Sequence, residues 1–226
     1  MTKHPKQHRT IPPVAVPLLL ALCLVCAFCF VRPITANARD SAVITRVREY
    51  YPKDAVLPDT EVYYPQISFG ENPSQLQTAN AMMREYAIGQ YVLYRSAVKD
   101  GRITVTDETT PVVLTDYKVL RNSGGYLSIQ LWNENASLAV PGCFTVRLAE
   151  RRLLRLADLF TSDTDYCTLL NRALSRQLGT PFDKVRFDTP FCLTEDSLLL
   201  VIAGEDQAPE VFEVPLSDLS PQRLRL

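Results

Sequence analysis

Histidine is missing from most of this chain. Of 226 residues only His4 and His8 are histidines. Beyond them a Ser-His-Asp triad, a Cys-His nucleophile pair and a His-ligated zinc site are excluded, because each needs an imidazole as base or ligand. Glycine is scarce, with eight residues. None falls in a Gly-x-Gly-x-x-Gly or Gly-Lys-Ser/Thr pattern, so no loop is built to cradle a dinucleotide or a nucleotide phosphate. Tryptophan occurs once, as Trp132. A basic surface is lacking too. The formal net charge is −1, and residues 1–38 hold Lys3, Lys6, Arg9 and Arg32 without a single acid. Residues 39–226 therefore carry more acids than bases, which argues against a phosphate-binding surface for nucleic acid.

What is present starts with an export signal. A basic opening is followed by an apolar run, 14–31, broken only by Pro17, and then by Ala36-Asn37-Ala38. Small residues at the first and third positions suit signal peptidase. The run is also near the shortest length that spans a bilayer as a helix. Two products are expected: a body secreted after cleavage at Ala38, or one held by a single N-terminal membrane helix. Both put the body outside the cytoplasmic membrane, since the basic end stays inside. Cys23, Cys26 and Cys29 lack the small preceding residue of a lipoprotein signal and read as apolar fillers.

The chain divides on this reading into the signal or anchor (1–38), a lead-in (39–60) and one domain (61–226). Alternating residues over 43–51 predict a strand. The spacing of Leu76, Ala79, Met83, Tyr86, Ala87, Gln90 and Tyr94 predicts a helix over 73–98, with Asn72 as its cap and Asn80 holding a nearby backbone group. Ser123-Gly124-Gly125 joins strands 110–122 and 126–133 in a hairpin. A third strand follows over 143–148 and a short one over 153–156. A helix over 165–178, stopped by Gly179, has Cys167, Leu170, Leu174 and Leu178 as its apolar stripe. Strands 191–193, 197–203 and 211–214 close the chain. The order predicts an α+β fold: an antiparallel β-meander with two helices packed mainly on one face.

Three thiols fall in the body. In an oxidising compartment Cys143 and Cys192, both in expected strands, are the candidate disulfide and Cys167 is left over; three buried free thiols are the alternative. The acid pairs Asp107-Glu108, Asp163/Asp165, Glu195-Asp196 and Glu205-Asp206 read as solvated turns. Asp163-Thr164-Asp165 begins a calcium loop, but the required Gly and Glu do not follow. No metal or cofactor is expected.

Several segments follow one another at a suggestive spacing: Tyr117-Lys118-Val119, Gly125-Tyr126-Leu127-Ser128-Ile129, Phe144-Thr145-Val146-Arg147-Leu148, Leu154 to Phe160, Leu169-Leu170-Asn171 and Phe191 to Leu198, with Tyr64-Pro65-Gln66-Ile67 and Asn80 upstream. Over about 61–219 the chain resembles the extracytoplasmic domain of RsiV-type anti-sigma factors, which also accompanies PdaC-type peptidoglycan deacetylases. It departs from that pattern at 133–140 and at 204–210, where only Ala208-Pro209 is retained. The resemblance implies a wall-side binding domain, with lysozyme as the ligand of the anti-sigma member. The deacetylase catalytic domain and a cytoplasmic sigma-binding segment are not in the sequence.

The resulting expectation is an exported, non-catalytic binding or sensing module of a Gram-positive cell envelope, with cell-wall glycan or an extracellular protein as partner. The expected contact face is the polar side of the meander, Tyr126, Gln130 and Trp132, where aromatic rings stack on sugars or anchor a protein. Trp132 packed under a helix is the alternative there. The rival functions are a carboxylate-based wall-glycan hydrolase, which needs two acids facing across a cleft, and a structural envelope protein without a soluble ligand.

Overall fold

The computed structural model describes residues 41–70, 76–105, 110–133, 140–204, 208–219 and 224–226. The chain divides into two units, Met1–Ala38 and Arg39–Leu226; the apolar run 14–31 and the cleavage triplet lie outside the described residues. No helix among the described residues is long and apolar enough to cross a membrane.

The fold is α+β; among the described residues it has nine strands in two sheets and two α-helices. The first sheet has the order β1 (Val43–Tyr51), β2 (Thr60–Ser68), β3 (Val112–Ser123), β4 (Tyr126–Asn133), β5 (Gly142–Arg147) and β6 (Arg152–Leu153). The segment expected as a lead-in is a full edge strand, paired with β2 from Val43–Ser68 to Tyr51–Thr60. Gly124 and Gly125 both have positive φ, 58° and 78°. Two successive left-handed residues give the tight turn whose twist matches a β3–β4 hairpin, and glycine adopts them without a Cβ clash.

The sheet is not wholly antiparallel. β2 and β3 run parallel over Thr60–Val62, because α1 (Gln77–Lys99) lies between them in sequence and supplies the long crossover a parallel neighbour requires. Ala79, Met83, Ala87 and Tyr94 of α1 pack on Val62, Leu127, Ile129, Leu131, Phe144 and Val146 as the first core. β2 runs on past its short pairing with β3, and there the Asn80 carboxamide takes the role of a missing strand: its Oδ1 accepts from Ile67 N at 2.8 Å and its Nδ2 donates to Ile67 O at 2.9 Å.

The second core corrects the expected arrangement of helices. α2 (Tyr166–Leu178) is capped by Asp165, which accepts from Thr168 N at 3.1 Å, and is stopped by Gly179 at φ 70°. Its Leu170, Ala173 and Leu174 pack not with α1 but with a separate antiparallel sheet, β7 (Phe191–Leu193), β8 (Ser197–Ala203) and β9 (Pro209–Pro215). Tyr126 belongs to this core, whereas Leu127 belongs to the first. Successive strand residues point to opposite faces, so the two cores lie on opposite sides of β4 and the helices do not share one face. The expected stripe of α2 also shifts: Leu178 is exposed and Cys167 half-buried.

Candidate functional site

The face of the first sheet opposite α1 has two halves. One half, at β4 and β5, is covered by β7, whose Leu193 N–H donates to Ser128 Oγ at 2.8 Å while Ser128 pairs with Thr145 at 2.9 Å. Tyr126 stands in this half. It is 7% exposed, its hydroxyl donates to Arg225 O at 3.0 Å, and the guanidinium carbons of Arg121 and Arg147 lie 5.3 and 5.5 Å from its ring. Its place in the expected contact face is therefore corrected: Tyr126 is core.

The other half carries Trp132 and Gln130 of β4, both half-buried. Across the ladder from them stand Asp116 and Lys118 of β3. Arg46 of β1 donates to Asp116 Oδ2 at 2.7 Å and places its guanidinium carbon 3.8 Å from the Tyr63 ring centre. Tyr63 OH donates to Glu61 at 2.5 Å, and Glu61 also holds Arg48. Arg48 in turn lies 5.4 Å from the ring of Tyr50, whose OH donates to Asp59 at 2.6 Å. These bonds to carboxylates push the pKa of both tyrosines up. The strands thus present rings and guanidinium groups, with Arg46 and Arg48 each already facing an acid. This half suits stacking on a sugar or a planar group and hydrogen bonding at its rim. Sequence reading named Trp132 and Gln130 but not Arg46, Arg48, Tyr50 and Tyr63. The signal available was the alternation of β1 and β2, which puts those four on one face once the strands are paired.

The described acids form no buried hydrolytic pair. No Asp or Glu is buried among the described residues. Every described carboxylate with a displaced pKa is displaced downward: Glu49, Asp54, Asp59, Glu150, Asp158 and Asp165. A general acid needs the opposite displacement. Asp165 is spent on the α2 cap, and Glu195 accepts from Ser123 at 2.5 Å. Asp107-Glu108 and Glu205-Asp206 lie outside the described residues. No group of three or more His, Cys, Asp or Glu that could hold a metal gathers among the described residues.

Cys143 and Cys192 come together. The hydrogen bond between their thiols pushes the Cys143 pKa up and the Cys192 pKa down. Both are reduced, as is Cys167. Cys143 also lines an open cavity of about 340 Å³, with Leu154, Arg155, Leu156, Phe187 and Asp188 among its other walls.

No protein-family model matches this sequence, and no curated protein is similar to it. Two crystal structures are similar in chain path. One is a DUF3298 family protein from Pseudomonas aeruginosa, 16% identical, with a TM-score of 0.47 over 83% of this chain and 96% of that one. The other is a member of the same family from Bacteroides fragilis, 13% identical, with a TM-score of 0.40 over 83% and 94%.

Proposed function

We propose that this protein is an exported, non-catalytic binding or sensing module of the bacterial cell envelope, and that the half of the first sheet's face bearing Arg46, Tyr63 and Trp132 is its contact face. The observation that carries the reading is the contiguous surface of Arg46, Arg48, Tyr50, Tyr63, Gln130 and Trp132. It adjoins the half of the same face that β7 covers. Flat sheet surfaces bearing aromatic rings and guanidinium groups recognise sugar rings by stacking and protein partners by anchoring. The likeness to RsiV-type domains supports an envelope ligand, with a peptidoglycan fragment or lysozyme as candidates. The absence of histidine beyond His8 and the downward displacement of the acids support binding over hydrolysis. The apolar run 14–31 with its small-residue triplet supports export, either with cleavage after Ala38 or with retention by one helix.

Because Trp132 is the sole tryptophan, its fluorescence reports on this face alone. Titrating the protein with muropeptides and, separately, with lysozyme should change the emission and release or absorb heat for one of them. Unchanged emission together with null calorimetry for both ligands overturns the reading for those ligands.

A further inference from the structure

We propose that Cys143 and Cys192 form a disulfide that pins the β7–β9 sheet to β5 and so fixes the second layer of the fold. Cys143 stands on β5 opposite Gln130 of β4, on the face that β7 crosses. Cys192 stands on β7, with its Sγ donating to Ile129 O of β4 at 3.4 Å. The neighbouring bond from Leu193 N to Ser128 Oγ fixes β7 against the same strand. The backbone on both sides of the pair is thus held by ladders and by cross-layer hydrogen bonds, which keep β5 and β7 packed against each other where the two cysteines stand. Cys167 is elsewhere, in the first turn of α2, where its charged neighbours are Asp165, Arg186 and Asp188.

The pair is also reachable. Cys192 is fully buried, but Cys143 is half-buried and forms part of the wall of the 340 Å³ cavity. A small disulfide such as cystine entering there meets Cys143 first. The Cys143 sulfur attacks one sulfur of the reagent, whose S–S bond breaks, and the departing half leaves as a thiol carrying the Cys143 proton. Cys192 then attacks the Cys143 sulfur, and the second half leaves as a thiol with the Cys192 proton. The protein pair loses two electrons and the reagent gains them.

The bridge closes a long loop and ties layers that otherwise touch through side chains and a few hydrogen bonds. It restricts the unfolded chain most. This inference stands apart from the ligand reading, since the thiols lie in the half of the sheet face that β7 covers.

The test uses the full chain, incubated with cystine, unfolded in iodoacetamide, digested and analysed by mass spectrometry. The expected product is a Cys143 peptide joined to a Cys192 peptide and released by dithiothreitol. The oxidised protein should melt higher than the reduced one by roughly 5–15 °C, and Cys143→Ser should show no cystine-dependent shift. Independent alkylation of both cysteines after cystine treatment, or a link from either one to another cysteine, overturns the proposal. Should Cys143→Ser fail to fold, the peptide map of the unmodified chain decides alone.

Discussion

Arg46 is shared between two partners on neighbouring strands: its Nη2 donates to Asp116 on β3 at 2.7 Å while its guanidinium plane covers the Tyr63 ring on β2, 3.8 Å from the centre. An exposed ion pair of this kind contributes less than about 1 kcal/mol to stability. Its consequence is geometric, since it keeps a cation stacked over a ring while bonding Asp116, the ladder partner of Trp132. Arg46→Ala should therefore leave the urea midpoint nearly unchanged while lowering affinity for whichever ligand moves the Trp132 emission, by at least tenfold. Equal losses of stability and affinity would show that the residue acts through the fold.

Tyr126 supplies the opposite case. It lies in the second core under β7 and α2, so Tyr126→Ala should destabilise the protein by about 3–5 kcal/mol in urea unfolding, as truncation of a buried ring does. Tyr126→Phe keeps the ring and removes the hydroxyl with its bond to Arg225 O, at a cost of about 0.5–1.5 kcal/mol. Neither variant should alter ligand affinity in the folded state. An affinity loss in Tyr126→Phe with intact stability would return Tyr126 to the contact face.

The contrast between these two residues shows what the sequence could reveal. Local features were legible because they are written in local chemistry: the Ser123-Gly124-Gly125 turn, the Gly179 end of α2, the 194–196 turn and the Asn80 contact with backbone. The layering was not. Tyr126, Ser128, Gln130 and Trp132 alternate with apolar residues and so read as a solvent face, yet half of that face is buried. Ser128 and Thr145 satisfy each other and the Leu193 N–H there, so a buried polar surface carries the same residue pattern as a wet one. The parallel pairing of β2 with β3 was hidden for a different reason: it joins strands separated by the whole of α1, and nothing in either strand alone marks it. At the candidate site, Trp132 and Gln130 were legible from the alternation of β4, whereas Arg46 and Tyr63 needed the pairing of β1 with β2.

Asn80 tests the substitute-strand role. Both polar atoms of its side chain are engaged by Ile67, which is 1% exposed. Removing them leaves a buried N–H and C=O without the partner they have now, and each such loss costs about 1–3 kcal/mol. Asn80→Ala should lower unfolding free energy by about that amount or somewhat more. Asn80→Asp keeps the acceptor for Ile67 N but turns an oxygen toward Ile67 O, and it should be at least as damaging at neutral pH. Hydrogen exchange at the Ile67 amide is the direct readout, and unchanged protection in Asn80→Ala would refute the role.

Glu49 makes the acid stability of the fold predictable in sign. Burial raises its pKa, but hydrogen bonds from Tyr64 OH at 2.8 Å, Tyr51 OH at 3.0 Å and Arg84 Nε at 2.8 Å outweigh burial, and the net displacement is below the ordinary value of 4.5. The same contact works on the tyrosines in reverse: burial first, then the bond to Glu49, pushes Tyr51 up to about 12. A carboxyl that is more acidic in the folded state than in the unfolded one stabilises the fold while it is ionised in both. That contribution is fully present above the unfolded pKa and is lost as pH falls from there through the lower folded value. Stability of the unaltered protein should therefore decline from about pH 5 downward, and Glu49→Gln should remove this residue's share of the decline while lowering stability at pH 7. Urea midpoints taken between pH 7 and pH 3 measure both effects. Parallel acid limbs for the two proteins would show that Glu49 is not among the groups that set the slope, and would shift the cause to Asp54 or Asp158, which are displaced the same way by their arginine partners.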